Sequence, residues 1–352
     1  MKKIKLKDIA REFKVSISTA SKAVNDSSEI SESLRKKIQN YAVTHHYKPN
    51  KVALSLRNKS TKTIGVLLPN ILNYFFTQVF YGIEKITDQR GYKIISCMTN
   101  ESYDKEVTTS DLLHSGTIDG LLISLSQETQ QLQRWHHLER LKAQDIPIVM
   151  FDRVTDQITC DKVIVDDVEA AYKATQYLLQ TGCKNIVLFS TIHHSSVGKL
   201  RVKGYKKALQ DHQIAIDDRF IVPVSKRDDP EILITLLLNY KPIHAIIALD
   251  EISAITVLKT VQARGYKVPD DISIIGFTNG ILSRHVTPAL TTVSQHGKFI
   301  GESAATILID RIEQKNKSEE AITKIVKTSL IIRESTKVLL DPRLRVPSAS
   351  GR

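Results

Sequence analysis

Residues 4–25, IKLKDIAREFKVSISTASKAVN, contain two short helical patterns with a break between them. The apolar residues recur at irregular spacings, which favours two helices packed on each other over one long helix. They are Ile4, Ile9, Ala10, Phe13, Val15, Ala20 and Val24. The break falls at Lys14-Val15-Ser16, where the Ser16 hydroxyl can cap the second helix. Such a pair, with Ser, Thr and Lys in its second helix, is typical of a helix-turn-helix that reads DNA. An ordinary helical hairpin with a solvated basic face is the alternative.

The distribution of charge separates these two interpretations. Residues 1–62 hold 15 Lys and Arg against 5 Asp and Glu, a net charge of +10, whereas the whole chain carries +12. A solvated hairpin does not need this asymmetry. A phosphate-binding unit does, because each neutralised phosphate releases condensed counterions.

Length and composition predict a soluble protein of two or three domains. The chain has 352 residues, of which 41% are hydrophobic and 25% are charged. It contains no apolar stretch long enough to span a membrane, and its basic N-terminus does not resemble a signal peptide. Three widely spaced cysteines offer neither a disulfide framework nor a zinc pattern. We therefore expect the protein to be located in a reducing cytoplasm and to have no membrane partner, no metal and no cofactor.

The first 62 residues predict a third helix and a hinge. Ser31 can cap a helix that places Leu34, Ile38, Tyr41 and Ala42 on one face. Residues 1–49 are therefore predicted to form an all-α head. Residues 50–62, a short helix-prone run followed by a basic polar segment, are predicted to form a hinge helix and linker.

From Thr63 onward, strand and helix patterns alternate, which predicts parallel sheets covered on both faces. We predict strands at 64–68, 93–97, 120–124, 147–151, 162–165, 185–190, 220–224, 245–249, 273–276 and 327–333. We predict helices at 75–90, 106–114, 127–143, 168–181, 199–212, 230–239, 251–264 and 298–314. The two halves share a rhythm, so we expect a two-lobed core over 63–341 with a cleft between the lobes. The N-lobe is assigned 63–161 and 293–326, the C-lobe 162–292 and 327–341, and residues 342–352 are predicted to be a disordered tail.

Two other classes of protein share this alternation. A doubly wound enzyme is not supported, because the chain has no Walker A run, no GxGxxG after a strand and no nucleophile elbow. A secreted solute-binding protein would need a signal peptide and would not use the basic head.

Several motifs give the chain a resemblance to the LacI/GalR family of bacterial transcriptional regulators over nearly its whole length. They are Lys7-Asp8-Ile9-Ala10, Val15-Ser16-x-x-Thr19-x-Ser21-Lys22-x-x-Asn25, Tyr47-x-Pro49-Asn50-x-x-Ala53-x-x-Leu56, Ile64-Gly65-Val66, Val268-Pro269-Asp270-Asp271-Ile272 and Ile332-Arg333-Glu334-Ser335-Thr336. The resemblance implies a helix-turn-helix head, a hinge helix and a core similar to periplasmic sugar-binding proteins, with two doubly wound parallel sheets. It also implies a homodimeric repressor that binds a pseudo-palindromic double-stranded operator, with a sugar or related metabolite as effector.

The resemblance places the start of the second helix in the major groove. Ile17, Ser18 and Lys22 are then candidates for base contacts, although the family more often has Arg where this chain has Lys22. The candidates for phosphate contact or capping are Ser16, Thr19, Ser21 and Asn25. Ala20 and Val24 are expected in the core. Lys14 stands where the family commonly has Gly.

The hinge motif adds Asn50, Ala53 and Leu56 to the predicted DNA contacts. Leu56 matches a leucine that wedges into a central base step of the minor groove and bends the duplex. The alternative is that Leu54 and Leu56 pack against the core.

The effector is expected in the crevice at the carboxyl ends of the strands. The resemblance assigns contacts there to Asn73, Tyr74, Phe75, Asp152, Arg201, Asp250, Thr278 and Asn279. Phe76 is expected either at the crevice or in the core. Arg201 is expected either to bind the effector or to be a cation on the surface of a helix. The family usually has an Asp in the segment where this chain has Thr278-Asn279. The effector is therefore predicted to be an unusual or a charged saccharide, or the site to be reorganised around Asn279. The pair His193-His194 is either a pH-sensitive element at the cleft rim or a solvated loop.

Overall fold

The computed structural model describes residues 4–47, 60–114, 116–225, 227–314 and 320–339. The chain divides into two compact units, Met1–Thr61 and Lys62–Arg352. The predicted DNA contacts Asn50, Ala53 and Leu56, most of the predicted hinge and the predicted tail lie outside the described residues. No helix within the described part of the chain is both long and apolar enough to cross a membrane.

The first unit is a three-helix head. Its helices are α1 (Leu6–Glu12), α2 (Ile17–Val24) and α3 (Glu32–Thr44). The predicted apolar positions form its core, in which Ile9, Ala20 and Ile38 are completely buried. Phe13 packs edge-on against Tyr41 at 5.4 Å between ring centroids, which joins α3 to the end of α1.

The second unit contains two six-stranded sheets that define two lobes. The first sheet is wholly parallel, in the order β11-β5-β4-β3-β1-β2. Its strands are β1 (Thr63–Leu68), β2 (Lys93–Met98), β3 (Gly120–Ile123), β4 (Ile148–Phe151), β5 (Asp161–Val165) and β11 (Thr323–Val326). Its helices are α4 (Tyr74–Gln89), α5 (Tyr103–His114), α6 (Gln127–Leu132), α7 (His136–Lys142) and α13 (Gly297–Ile312).

The second sheet has the order β12-β10-β9-β8-β6-β7 and is parallel except for the antiparallel pair β10–β12. Its strands are β6 (Ile186–Ser190), β7 (Ile221–Pro223), β8 (Ala245–Ala248), β9 (Ser273–Phe277), β10 (Thr291–Ser294) and β12 (Ser329–Ile331). Its helices are α8 (Asp167–Gln180), α9 (Ser196–Asp211), α10 (Pro230–Tyr240), α11 (Glu251–Ala263) and α12 (Leu282–His285).

The chain crosses between the two sheets three times, after β5, after β10 and after β11. Two of these crossings are bonded to each other, because the Thr328 amide donates to Asp166 Oδ1 at 2.9 Å. Close approach of α4 and α13 covers one face of the first sheet. A Cβ on Gly82 would lie 2.1 Å from the Lys298 carbonyl oxygen, so this contact requires a glycine.

Three of the predicted elements are corrected by the structure. The strand predicted at 162–165 was assigned to the C-lobe, but β5 pairs with β4 and β11 in the first sheet. The helix predicted at 127–143 is two helices, because Gln133 adopts a left-handed conformation with φ of 52°. The single strand predicted at 327–333 is preceded by the unpredicted β11, so the last segment supplies one short strand to each sheet.

Candidate functional site

The second helix of the head begins where the sequence predicts. Ser16 Oγ accepts from the Thr19 backbone N–H at 3.0 Å and lies 2.8 Å from Thr19 Oγ1. This cap satisfies an amide that has no partner within the helix. Asn25 ends the helix, and its Nδ2 donates to the Ser21 carbonyl at 2.8 Å. Ser16 and Asn25 therefore cap the two ends of α2, and Thr19 is the residue whose amide Ser16 caps. Contacts of these residues with phosphate stay a prediction.

The solvent-facing side of α2 carries the predicted base contacts. Ile17 is 57% exposed and Ser18 is also exposed, while Ala20 is completely buried against the head core. Lys22 is partly exposed and forms an ion pair with Glu29. An exposed isoleucine in the first turn of a polar helix is available to contact a thymine methyl group.

The turn between α1 and α2 is strained at Lys14. This residue has φ of 51°, the left-handed region that a side chain with a Cβ disfavours. The family's glycine at this position would adopt that conformation without strain. Lys14 therefore adopts a conformation that suits glycine, and it adds an exposed cation beside α2.

An interlobe cleft of about 1020 Å³ lies at the carboxyl ends of the strands of both sheets. Its walls come from the segments that follow β1, β2, β3, β4, β6, β7, β8 and β9. The polar side chains among them are Asn70, Asn73, Tyr74, Thr77, Asn100, Glu101, Ser102, Gln127, Glu128, Gln131, Arg153, Thr191, His193, His194, Ser225, Asp228, Asp250 and Glu251. The sequence predicted Asn73, Tyr74 and Asp250 here.

Two of these predicted residues cap helices that begin at the cleft. Asn73 Oδ1 accepts from the Phe75 amide at 2.9 Å at the start of α4. Asp250 Oδ1 accepts from the Ser253 amide at 2.8 Å at the start of α11, and its Oδ2 accepts from the hydroxyls of Ser253 and Thr191. The carboxylate is thus held by three donors and presented at the cleft wall.

Arg153 and Glu101, which the sequence analysis did not select, form a partly buried ion pair in this cleft. Both oxygens of Glu101 lie 2.7 Å from Arg153 Nη1, and the Arg153 side chain is 4% exposed. Glu101 also accepts from the Gln127 amide at 2.8 Å. Arg153 comes two residues after the end of a predicted strand, which was a usable signal. Only the fold brings Glu101 to it.

Asp152 and Arg201 lie beneath the cleft rather than on its walls. They are 5% and 2% exposed, and neither lines the cleft. Arg201 pairs with Asp167 at 2.8 Å, donates to the Leu249 carbonyl at 3.1 Å and stacks 4.2 Å over the Phe277 ring. Burial raises the pKa of Asp152 to about 7, and Arg153 opposes this rise. Burial also raises the pKa of Asp167.

The predicted residues Phe75, Thr278 and Asn279 line a second cavity of about 450 Å³, here called the side cavity. Phe75 is 4% exposed and also belongs to the first-lobe core, as does Phe76, which lines the interlobe cleft. Thr278 has φ of 73° and donates to Gln295 Oε1 at 3.0 Å. The predicted effector set is therefore divided between two cavities, and Tyr74 lines both.

Several buried polar atoms near the strand ends have no hydrogen-bond partner among the described residues. They include Thr99 Oγ1 after β2, Ser124 Oγ after β3, Ser190 Oγ at the end of β6 and Arg153 Nε after β4. A buried polar group without a partner is costly, so such groups are typical of sites that a ligand or water completes. No cluster of potential metal ligands occurs among the residues that the structure describes.

Within one chain, a helix-turn-helix unit precedes a two-lobed α/β core with a polar interlobe cleft, an arrangement typical of bacterial transcription regulators. The model of bacterial regulatory proteins, lacI family, matches residues 5–50, and that of a periplasmic binding protein-like domain matches residues 175–336. The chain belongs to the LacI family, whose members are transcriptional regulators rather than enzymes.

Relatives and solved structures agree with this assignment. Catabolite control protein A of Priestia megaterium is 34% identical over 305 residues, which cover 86% of this chain and 90% of that protein. A LacI family regulator from Enterococcus faecium, solved with bound ribose, is 27% identical with a TM-score of 0.68, over 78% of this chain and 98% of that one. The lac repressor dimer bound to operator and an anti-inducer shares the fold, with 22% identity, a TM-score of 0.81 and coverage of 96% and 100%.

Proposed function

We propose that this protein is a sequence-specific operator-binding repressor whose affinity for DNA is set by a small hydroxyl-rich effector in the interlobe cleft. The observation that carries the proposal is the combination, in one chain, of an exposed α2 on a strongly cationic head with a polar cleft between two sheets. Neither part alone separates a regulator from a helical hairpin or from a solute-binding protein.

The DNA contacts follow from the exposed side of α2. Ile17, Ser18 and Lys22 face base edges, while Ser16, Thr19, Ser21 and Asn25 position the helix on phosphates. Asn50, Ala53 and Leu56 would add the hinge contacts. The similar lac repressor is a dimer on its operator, which supports a homodimer here with a pseudo-palindromic site.

The effector contacts follow from the cleft walls. Asn73, Tyr74 and Asp250 offer an amide, an aromatic face and a carboxylate, the combination that suits a sugar. Asp152 and Arg201 would join them through lobe movement, since both are buried just below. Ribose bound in the similar Enterococcus faecium protein supports a saccharide or a related metabolite.

Selection of operators from random duplexes, followed by mobility-shift titration at several salt concentrations, tests the DNA half of the proposal. We expect one enriched inverted repeat and an affinity that falls linearly on a log–log plot against salt. An Ile17→Ala variant should lose the sequence preference more than the non-specific binding. Failure to enrich any sequence, with or without candidate sugars, refutes this half.

A thermal-shift screen of sugars and sugar phosphates tests the effector half. A ligand that binds only the folded protein stabilises it by about 2.7 kcal/mol at a hundredfold excess over Kd. The stabilising compound should then change operator affinity. A compound that stabilises the protein and leaves operator affinity unchanged at saturation contradicts the coupling.

A further inference from the structure

The side cavity differs in charge from the interlobe cleft. The cleft contains five carboxylates and a single arginine, Arg153, which Glu101 already neutralises. The carboxylates are Glu101, Glu128, Asp228, Asp250 and Glu251. The side cavity is lined by Arg284, Lys298 and His296, with Glu302 as its one carboxylate among the described residues. Glu302 is already paired with Lys85 at 2.9 Å.

The cations of the side cavity lack acidic partners within the described ranges. No carboxylate pairs with Arg284, and Lys298 lies 5.0 Å from the centre of the Tyr81 ring. Arg333, directly behind Asn279, donates only to neutral oxygens, at 2.5 Å to Asn279 Oδ1 and 2.7 Å to the Leu290 carbonyl. Burial lowers the pKa of Arg333, and the nearby Arg284 charge lowers it further.

Two buried donors also open into this cavity. Gln295 is 4% exposed and lines the cavity, and no hydrogen bond to a described residue engages its Nε2. Ser294, 8% exposed, lines the cavity in the same way. Beside them the sixteen-residue helix α13 begins, and its N-cap residue, His296, provides no side-chain acceptor to the first-turn amides. Such amides favour a negative group.

We propose that the side cavity binds a small oxyanion, a phosphate or carboxylate group, through Arg284, Lys298 and the Ser294–Gln295 segment. The walls come from both lobes, with Tyr74 and Phe75 on the first and Thr278 and Asn279 on the second. A bound anion therefore bridges the lobes at a crossing of the chain. This site is additional to the effector site proposed above.

The asparagine at 279 is the specific feature that leaves the site cationic. An Asp at this position would form an ion pair with Arg333 and neutralise the charge of that arginine. Asn279→Asp should therefore weaken anion binding without removing any cation. This variant adds a negative charge to the site, and it therefore complements a variant that removes a positive charge.

Isothermal titration of the full-length protein with inorganic phosphate, and separately with malonate, tests the proposal without DNA or sugar. Chloride at matched ionic strength is the reference. We expect saturable binding of at least one of the two oxyanions, and the one that binds more tightly identifies the preferred group. Arg284→Gln should weaken it about tenfold, the effect of losing one charge-assisted hydrogen bond.

Arg284→Lys should retain most of the affinity, and Arg264→Gln, on an exposed arginine that lines neither cavity, should retain all of it. Binding of neither oxyanion, or equal binding by wild type, Arg284→Gln and Asn279→Asp, overturns the proposal. Operator binding and sugar binding are measured separately. Failure to bind an oxyanion would therefore leave the proposed function unaffected, and failure to bind operator or sugar would leave the anion site unaffected.

Discussion

Replacement of Asp152 by Asn should make the core more stable at neutral and alkaline pH. The Asp152 carboxyl is 5% exposed, and its nearest cation among the described residues is Arg153 Nε at 3.8 Å, beyond hydrogen-bond distance. Burial raises its pKa from 3.8 to about 7. Asn is nearly the same size, carries no charge and tolerates the left-handed φ of 59° found here.

The size of the effect follows from proton linkage. Between pH 3.8 and about 7 the folded protein holds this proton while the unfolded chain releases it, so the stability from this group is lost as pH rises through that range. About three pKa units, at about 1.4 kcal/mol each, correspond to about 4 kcal/mol. The Asn variant should therefore approach the wild type near pH 4 and exceed it by up to about 4 kcal/mol near pH 8.

Denaturant unfolding followed by Trp135 fluorescence measures this difference. Trp135 is the only tryptophan in the sequence and packs against the first-lobe core, in the lobe that contains Asp152. Asp228→Asn is the matched control. The Ser225 backbone amide lowers the pKa of that exposed carboxyl, so its removal should reduce stability throughout neutral pH. Parallel pH profiles for the wild type and Asp152→Asn would refute the reasoning.

Three further substitutions test the head and the contact between lobes. Lys14→Gly should relieve the strain of the left-handed turn and raise the free energy of local opening of α1 and α2 by about 1 kcal/mol, which slows hydrogen exchange in both helices. Unchanged exchange would argue against strain at Lys14. Glu29→Gln should free Lys22 and raise operator affinity about two- to fivefold in a mobility-shift titration, whereas a lower affinity would show that the ion pair orients Lys22. Gln130→Ala removes an acceptor for the Ser196 amide of the other lobe at 2.8 Å, so effector binding measured by calorimetry should weaken about three- to tenfold. Gln144→Ala, on an exposed turn, is the control, and equal losses in both variants would contradict the interlobe role.

The sequence by itself determined the features that depend on neighbouring residues. Ser16 caps α2 because its hydroxyl reaches an amide three residues on, and the apolar spacing of 4–25 produces the buried Ile9 and Ala20. The strand and helix alternation likewise follows from local hydrophobic patterns, since each pattern reports the faces of one element. The excess of positive charge in the first 62 residues can be counted from the sequence without any structure.

The tertiary structure alone decided the features that depend on distant pairing. The pattern of β5 is the same whether it joins the first or the second sheet, and only its bonds to β4 and β11 settle this. The pairing of Glu101 with Arg153, the burial of Asp152 and Arg201, and the division of the predicted effector residues into two cavities arise where loops far apart in sequence meet. A local pattern shows which residues are polar at a strand end. It does not show which of them face each other, because that depends on how the two sheets are ordered and joined.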